Sequence, residues 1–382
     1  MSRVLIIQSQ VKQYRIPFFI KLHEALQTDS IQLRVAYSQP AVSEGTKKDD
    51  GELPESFSVR VRAYSALRER CLYQPLIKEI ARADLVIVEQ ANKHVINHVL
   101  LLLRFAGLKC FGFWGLGNNK QADRSRLTEW YKRITVKWAD SYFAYTAAVA
   151  REVAVLGVPE ERITVVQNAT DTREFRNHIL SIKDCEIDLL RTELRINNDA
   201  SVGLFCGMLD SVKGIPFLID CSKLIRSKLP EFHLILVGGG REQSAIQQLV
   251  QDFPWVHAVG PKFGRDKALF FKLSDLLVLP GRVGLVILDS FAAGLPLITV
   301  QIPIHGPEVE YLQEGVNGFM VPRDVTTYAD AVVRVLKDRG LLLRLRAGAL
   351  KSADNYSIEA MVQNFRAGIV ACLQPENARG LS

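Results

Sequence analysis

Short aliphatic runs, each just long enough for a buried strand, recur along this chain with room for about one helix between them, and that alternation constrains its fold most. Residues 3–8 (RVLIIQ) open the series, Ile16 to Leu26 carry apolar side chains at helical spacing, and Ile31 to Tyr37 reads as the next strand. Leu85–Val88, Lys109–Trp114, Ser141–Tyr145 and Ile163–Val166 continue it, with helices over 93–106 and 125–138. A second series runs through Val202–Cys206, Leu234–Val237, His257–Val259, Leu276–Leu279 and Leu297–Val300. Strands covered on both faces show such unbroken apolar runs, so the pattern predicts an α/β chain with two Rossmann-like, doubly wound parallel sheets. The expected boundaries are a first domain over 1–175, a polar passage over 176–200 with a helix at 184–195, a second domain over 201–356, a closing helix at 357–373 and a tail at 374–382. The charged stretch 43–55 predicts a loop.

A chain of 382 residues exceeds one ordinary core, in keeping with two domains. No run approaches the ~20 apolar residues of a membrane-spanning helix, and Val4–Ile7 is no leader, so the expected location is the cytoplasm. The six cysteines (71, 110, 185, 206, 221 and 372) show no metal spacing, which predicts reduced thiols. Residues 1–175 hold 25 Lys and Arg against 19 Asp and Glu, and the remainder 23 against 22. The positive surplus therefore sits in the first half, where it suits a phosphorylated or lipid-borne partner or a plain solvated surface. Its basic residues are not interleaved with aromatics along a groove, which argues against a nucleic-acid partner.

Five pieces of the second half come directly after predicted strands, at the sheet edge where open α/β proteins bind ligands. Leu276–Pro296 reads as strand, loop and helix, so the amides of Gly284, Leu285 and Val286 are placed to meet a phosphate and Asp289 a pair of hydroxyls; an ordinary capped βα unit has the same pattern. Gly207 permits close approach and Lys213 offers a point charge, although a lone Lys-Gly is more often a surface turn. Gly238 and Gly239 open a glycine triplet, and Lys262 follows Gly260-Pro261. His305 and Glu308 can reach a sugar hydroxyl or serve only their own loop. The triplet alone suggests a nicotinamide fold, but no acidic residue follows the next strand where that fold requires one.

Taken in order, G-x-L-x(3)-KG, VGGG, GLV-x-x-D-x-x-A-x-G-x-P and PE-x(6)-G-x-x-G resemble the C-terminal half of retaining glycosyltransferases of family 4. Tyr14-Arg15-Ile16-Pro17-Phe18-Phe19 and the segment 165–171 resemble members acting on envelope polysaccharides or O-antigen. The resemblance implies a GT-B fold, two Rossmann-like domains facing a cleft with the last helix returning to the first. It implies a donor site of Gly207, Lys213, Gly238, Gly239, Lys262, Arg282, Gly284, Leu285, Val286 and Asp289. Lys213 would bind the donor diphosphate, Asp289 the ribose, and Glu308 would act in the following loop. Glu89 is the candidate acceptor-side base or anchor; Tyr14, Arg15, Trp114 and Asn118 are the candidate acceptor contacts. The chain departs from the family pattern at Gly281, where a glutamate is expected, at Met208, where an arginine is expected, and at Leu116 in place of a histidine. Arg282 is the candidate substitute for that arginine.

The resemblance thus implies a transferase that needs no cofactor or metal, takes a nucleotide sugar as co-substrate and uses a glycan or lipid-linked acceptor. The front-face retaining route suits a chain with no evident pair of carboxylates. Helix 125–138 places Leu127, Trp130, Tyr131, Ile134 and Trp138 beside Arg124, Arg126, Lys132, Arg133 and Lys137, a pattern suited either to an anionic membrane face or to packing on its own domain. A second class of function is a weakened homologue that binds nucleotide sugar or glycan as a partner subunit.

Overall fold

The computed structural model describes residues 1–38, 50–66, 71–91, 93–117 and 126–374, without the side chains of 126–129 and 132. The chain divides into two compact units: Met1–Thr170 with Ile358–Ser382, and Asp171–Ser357. The first boundary lies a few residues before the expected 175. The expected passage belongs to the second unit: the helix expected at 184–195 is Asp184–Glu193, and a further helix, Thr172–Ser181, precedes it. Asp171 starts the first of them, its side chain accepting from the Glu174 amide. Phe175 buries itself edge-on against Phe271, 5.2 Å between ring centres.

In the first unit the strands are β1 (Ser2–Ile7), β2 (Ile31–Ser38), β3 (Ser58–Val61), β4 (Tyr64–Ala66), β5 (Cys71–Tyr73), β6 (Leu85–Glu89), β7 (Cys110–Gly115), β8 (Ser141–Ala144) and β9 (Ile163–Val165). Seven of them form a parallel sheet in the order β3-β2-β1-β6-β7-β8-β9, while β4 and β5 pair antiparallel. The closing helix, Ile358–Leu373, belongs to this unit and packs on helix Ile16–Thr28. Phe365 on it is fully buried, with ring centres 5.0 Å from Phe18, 4.8 Å from Trp114 and 5.1 Å from Phe143. Arg366 adds a two-pronged ion pair to Asp29, 2.6 Å at each prong.

The second unit contains β10 (Ser201–Cys206), β11 (Phe232–Val237), β12 (Val256–Gly260), β13 (Leu276–Leu279), β14 (Leu297–Val300) and β15 (Gly318–Val321). They form a parallel sheet in the order β12-β11-β10-β13-β14-β15. The chain builds outward from β10 to one side, then returns to β13 and builds to the other. Loops leaving these two strands therefore diverge, and the crevice they leave at their carboxyl ends is where such sheets take ligands. In the first unit the same reversal falls between β1 and β6.

Two histidines on the flank of the second sheet give a pH dependence. His233 Nδ1 and His257 Nε2 lie 3.0 Å apart with stacked rings. Burial, helped by His233, pulls the His257 pKa down to about 4. The folded state thus refuses a proton that the unfolded chain accepts below about 6.5. Stability should be intact above pH 6.5 and fall by about 2 kcal/mol as pH drops toward 4, allowing for screening at a half-buried site. Urea midpoints at pH 7.5 and 4.5 should separate less in His257→Gln than in the wild type. An unchanged separation would show that His257 is not the titrating group.

Candidate functional site

At the carboxyl edge of the second sheet, three loops are stitched together by backbone amides. Gly207 N–H donates to Val237 O at 3.0 Å, Leu209 to Gly239 O at 2.9 Å, and Gly238 to Gly260 O at 3.0 Å. Gly238, at φ +155°, passes so close to its neighbour that a Cβ would stand 1.8 Å from Gly207 O. The glycine triplet is therefore what lets this edge close up. Lys262, half-buried beyond it, lies 5.7 Å from the centre of the Phe270 ring.

The reversal point between β10 and β13 is occupied by Lys213. Its short helical turn, Ser211–Lys213, ends on Gly214 in the left-handed region at φ +68°, from which helix Ile215–Lys228 departs. Val212 O accepts from the Arg282 amide at 3.0 Å, and Lys213 Nζ donates back to Arg282 O at 2.6 Å. Burial pulls the Lys213 ammonium below its ordinary pKa, with Asp210 opposing and Arg282 assisting. One N–H of the ammonium serves the loop; an ammonium has further donors to offer an anion.

Position 281 has no room for a side chain. A Cβ on Gly281 would lie 2.4 Å from the backbone of Lys213, so the lysine loop rests directly on this glycine. Replacing Gly281 by Ala, or by the glutamate of the resembled family, should force the loop away and cost about 1–3 kcal/mol. Urea unfolding of Gly281→Ala checks this, and wild-type stability with wild-type nucleotide affinity would disprove the contact.

Beyond Gly281 the chain is held by His305. Its Nδ1 accepts from the Val283 amide at 3.1 Å while Nε2 lies 2.7 Å from Val300 O, which assigns the proton to Nε2. His305 thus serves its loop. Glu308 is buried at 5% exposure within the turn Pro307–Tyr311, and a Cβ on Gly306 would meet its Oε2 at 2.5 Å. Gly284 has open space on its side-chain face, and Leu285 and Val286 begin helix Val286–Ala292. Asp289, one turn on, pairs with Lys267 at 3.2 Å. Burial is the largest influence on the Lys267 pKa and lowers it, but Asp289 and Cys206 together outweigh it and the net shift is upward. Lys267 also lies 4.6 Å from the centre of the Phe175 ring. Cys206, its thiol pushed up to about 12 by burial, senses Lys267, Asp289 and Lys213 together, which places all three around the end of β10.

In the first unit, Glu89 ends β6 at the other reversal point. Its Oε2 accepts from the Ser9 amide at 3.2 Å and hydroxyl at 2.9 Å, and lies 3.9 Å from Nε2 of the buried His94. Among the described residues no arginine forms an ion pair with Glu89, although its charge acts on Arg15 at longer range. Arg15 is buried and crosses the Trp114 ring at 4.3 Å, with Tyr14 and Tyr145 on its other sides. Leu116 is 42% exposed where the related pattern has histidine. Asn118 lies outside the described residues.

Ser9, His94, Lys267 and Phe175 carry no local sequence signal. Lys267 meets Asp289 and Glu89 meets Ser9 only through strand order. Among the described residues no group of three His, Cys, Asp or Glu side chains is arranged to hold a metal ion, and no helix is long and apolar enough to cross a membrane.

Two parallel Rossmann-like sheets, the second with its ligand edge built on glycines and a lysine, define a protein of GT-B fold type. Residues 200–338, within the second unit, match the model of the family described as Glycosyl transferases group 1. An uncharacterized glycosyltransferase of Methanocaldococcus jannaschii is 27% identical over 49% of this chain and 48% of its own length. A D-inositol 3-phosphate glycosyltransferase of Catenulispora acidiphila is 27% identical over 60% and 58%. The chain thus spans about half the length of these curated relatives. Among solved structures, Anabaena HepE in complex with UDP superposes with a TM-score of 0.69 at 17% identity, covering 97% of this chain and all of that one. WaaG, a glycosyltransferase of lipopolysaccharide biosynthesis, gives 0.60 at 14% identity, covering 97% and 100%.

Proposed function

We propose that the protein is a retaining, metal-independent glycosyltransferase that moves a sugar from a nucleotide sugar to a glycan or lipid-linked acceptor in cell-surface polysaccharide synthesis. The observation that carries this reading is Lys213, a half-buried cation fixed at the reversal point of a sheet within the match to Glycosyl transferases group 1. A sugar–diphosphate bond breaks as negative charge grows on the leaving phosphate. A preorganised donor aimed at that charge is worth about 3 kcal/mol in such a step. Gly284, Leu285 and Val286 support Lys213 at the start of the next helix, and Asp289 with Lys267 borders the ribose position. HepE has been crystallised with UDP and with UDP-glucose, so a uridine donor is the first to try. Glu89, held by Ser9, is the proposed acceptor anchor. The exposed Trp130 and Trp138, beside the exposed Arg133 and Lys137, suit contact with an anionic membrane carrying a lipid-linked acceptor.

A second reading, a weakened homologue that binds sugar nucleotides as a partner subunit, is favoured by Gly281, Met208 and Leu116. Incubation with UDP-glucose and related donors in EDTA, with glycolipid acceptors, separates the two. The enzyme reading expects transfer and a product whose anomeric proton matches the donor's configuration. Tight donor binding without transfer or hydrolysis across the panel would establish the second reading instead.

A further inference from the structure

Arg15 is a buried cation that feels the Glu89 carboxylate only as a field, without a hydrogen bond to it. It is 6% exposed, and its hydrogen bonds go to neutral partners: Nε to Tyr14 Oη at 3.2 Å, Nη2 to Tyr145 Oη at 2.8 Å and to Asn168 Oδ1 at 3.2 Å. Nη1 is buried and has no hydrogen-bond partner among the described residues. Trp114 forms the floor of this bracket at 2% exposure, and its indole Nε1–H is also buried without a partner. The Thr170 hydroxyl, two residues beyond Asn168, is a third buried group without one. Among the described residues no carboxylate hydrogen-bonds to Arg15. A guanidinium removed from water costs several kcal/mol unless an anion or a full set of acceptors compensates it. Two of these three unsatisfied groups are obligate donors, a set whose chemistry suits a ligand rich in acceptors.

We propose that Arg15, with Trp114 and Thr170, forms an anion-recognition subsite at the carboxyl edge of the first sheet, taking a phosphate or carboxylate of a substrate. The subsite rests on the assignment of the first unit to the acceptor side, but its test does not depend on turnover. Tyr14 and Tyr145, both half-buried, flank the guanidinium on its Nε and Nη2 sides. A planar guanidinium edge suits an oxyanion, and a neutral hydroxyl would leave its charge uncompensated. Two sources share this chemistry: the diphosphate of the donor and an anionic group of the acceptor.

Thermal unfolding at constant ionic strength with inorganic phosphate, pyrophosphate and UDP tests the subsite in the full chain, for the wild type, Arg15→Met and Trp114→Phe. Phosphate should raise the wild-type melting temperature, and Arg15→Met should bind it at least tenfold more weakly. Trp114→Phe keeps an aromatic floor and loses the N–H, so it should weaken phosphate by a smaller factor and guards against a misfolded arginine variant. If UDP also weakens tenfold in Arg15→Met, the anion is the donor's diphosphate. Unchanged UDP affinity with lost phosphate binding assigns the acceptor. Equal responses of the wild type and both variants to all three anions, or no response in the wild type, would overturn the proposal.

Discussion

Phe365→Ala should lower the stability of the first unit by about 3–5 kcal/mol, the range for a fully buried phenylalanine. The residue lies near the end of the chain yet touches Phe18, Trp114 and Phe143, which come from a helix and two strands of the first unit. Removing it opens a void between that helix and β7 and β8 that rigid rings cannot fill. Because Trp114 is the floor beneath Arg15, the same change should disturb the arginine bracket before the second unit feels it. Urea unfolding followed by tryptophan fluorescence, with nucleotide binding measured in parallel, reads the two units separately. A loss below about 1 kcal/mol, or a loss confined to the second unit, would contradict the packing described for the closing helix.

Most strands of the two parallel sheets are legible because buried parallel strands must be unbroken apolar runs; β10 to β14 stand close to their expected positions, whereas β15 has no counterpart in the sequence reading. The short β3, β4 and β5 give no such run, and helix Ala147–Val155, though capped by Thr146, is too short for its period to speak. Residues 176–200 look like a passage because they are polar. Most of them lie in the helices Thr172–Ser181 and Asp184–Glu193, where Phe175 and Glu186 find Phe271 and Arg265 across the fold, contacts that composition cannot show. The same limit applies to the site. Lys213 and the glycines are visible as a string of motifs, whereas the Asp289–Lys267 pair, the proton on His305 and the unpartnered face of Arg15 exist only once strand order brings distant residues together. The absence of a glutamate at 281 reads from sequence as a loss of function. In the structure Gly281 also lies against the backbone of Lys213, a contact that a side chain would break.

Lys213→Met removes the charge and keeps most of the stem. A charge-assisted hydrogen bond to phosphate is worth about 2 kcal/mol, so nucleotide binding should weaken roughly thirtyfold. If the lysine also meets charge that grows as the bond breaks, turnover should fall by about 3 kcal/mol, some two orders of magnitude. The variant also loses the bond to Arg282 O, so its melting temperature must be measured with its affinity. The most direct test is calorimetric titration of UDP, in EDTA, into the wild type and Lys213→Met. Donor-side binding through Lys213 predicts affinity without added metal that weakens roughly thirtyfold in the variant while its fold is kept. Equal affinity in the two proteins, or binding only when a divalent cation is supplied, would contradict it.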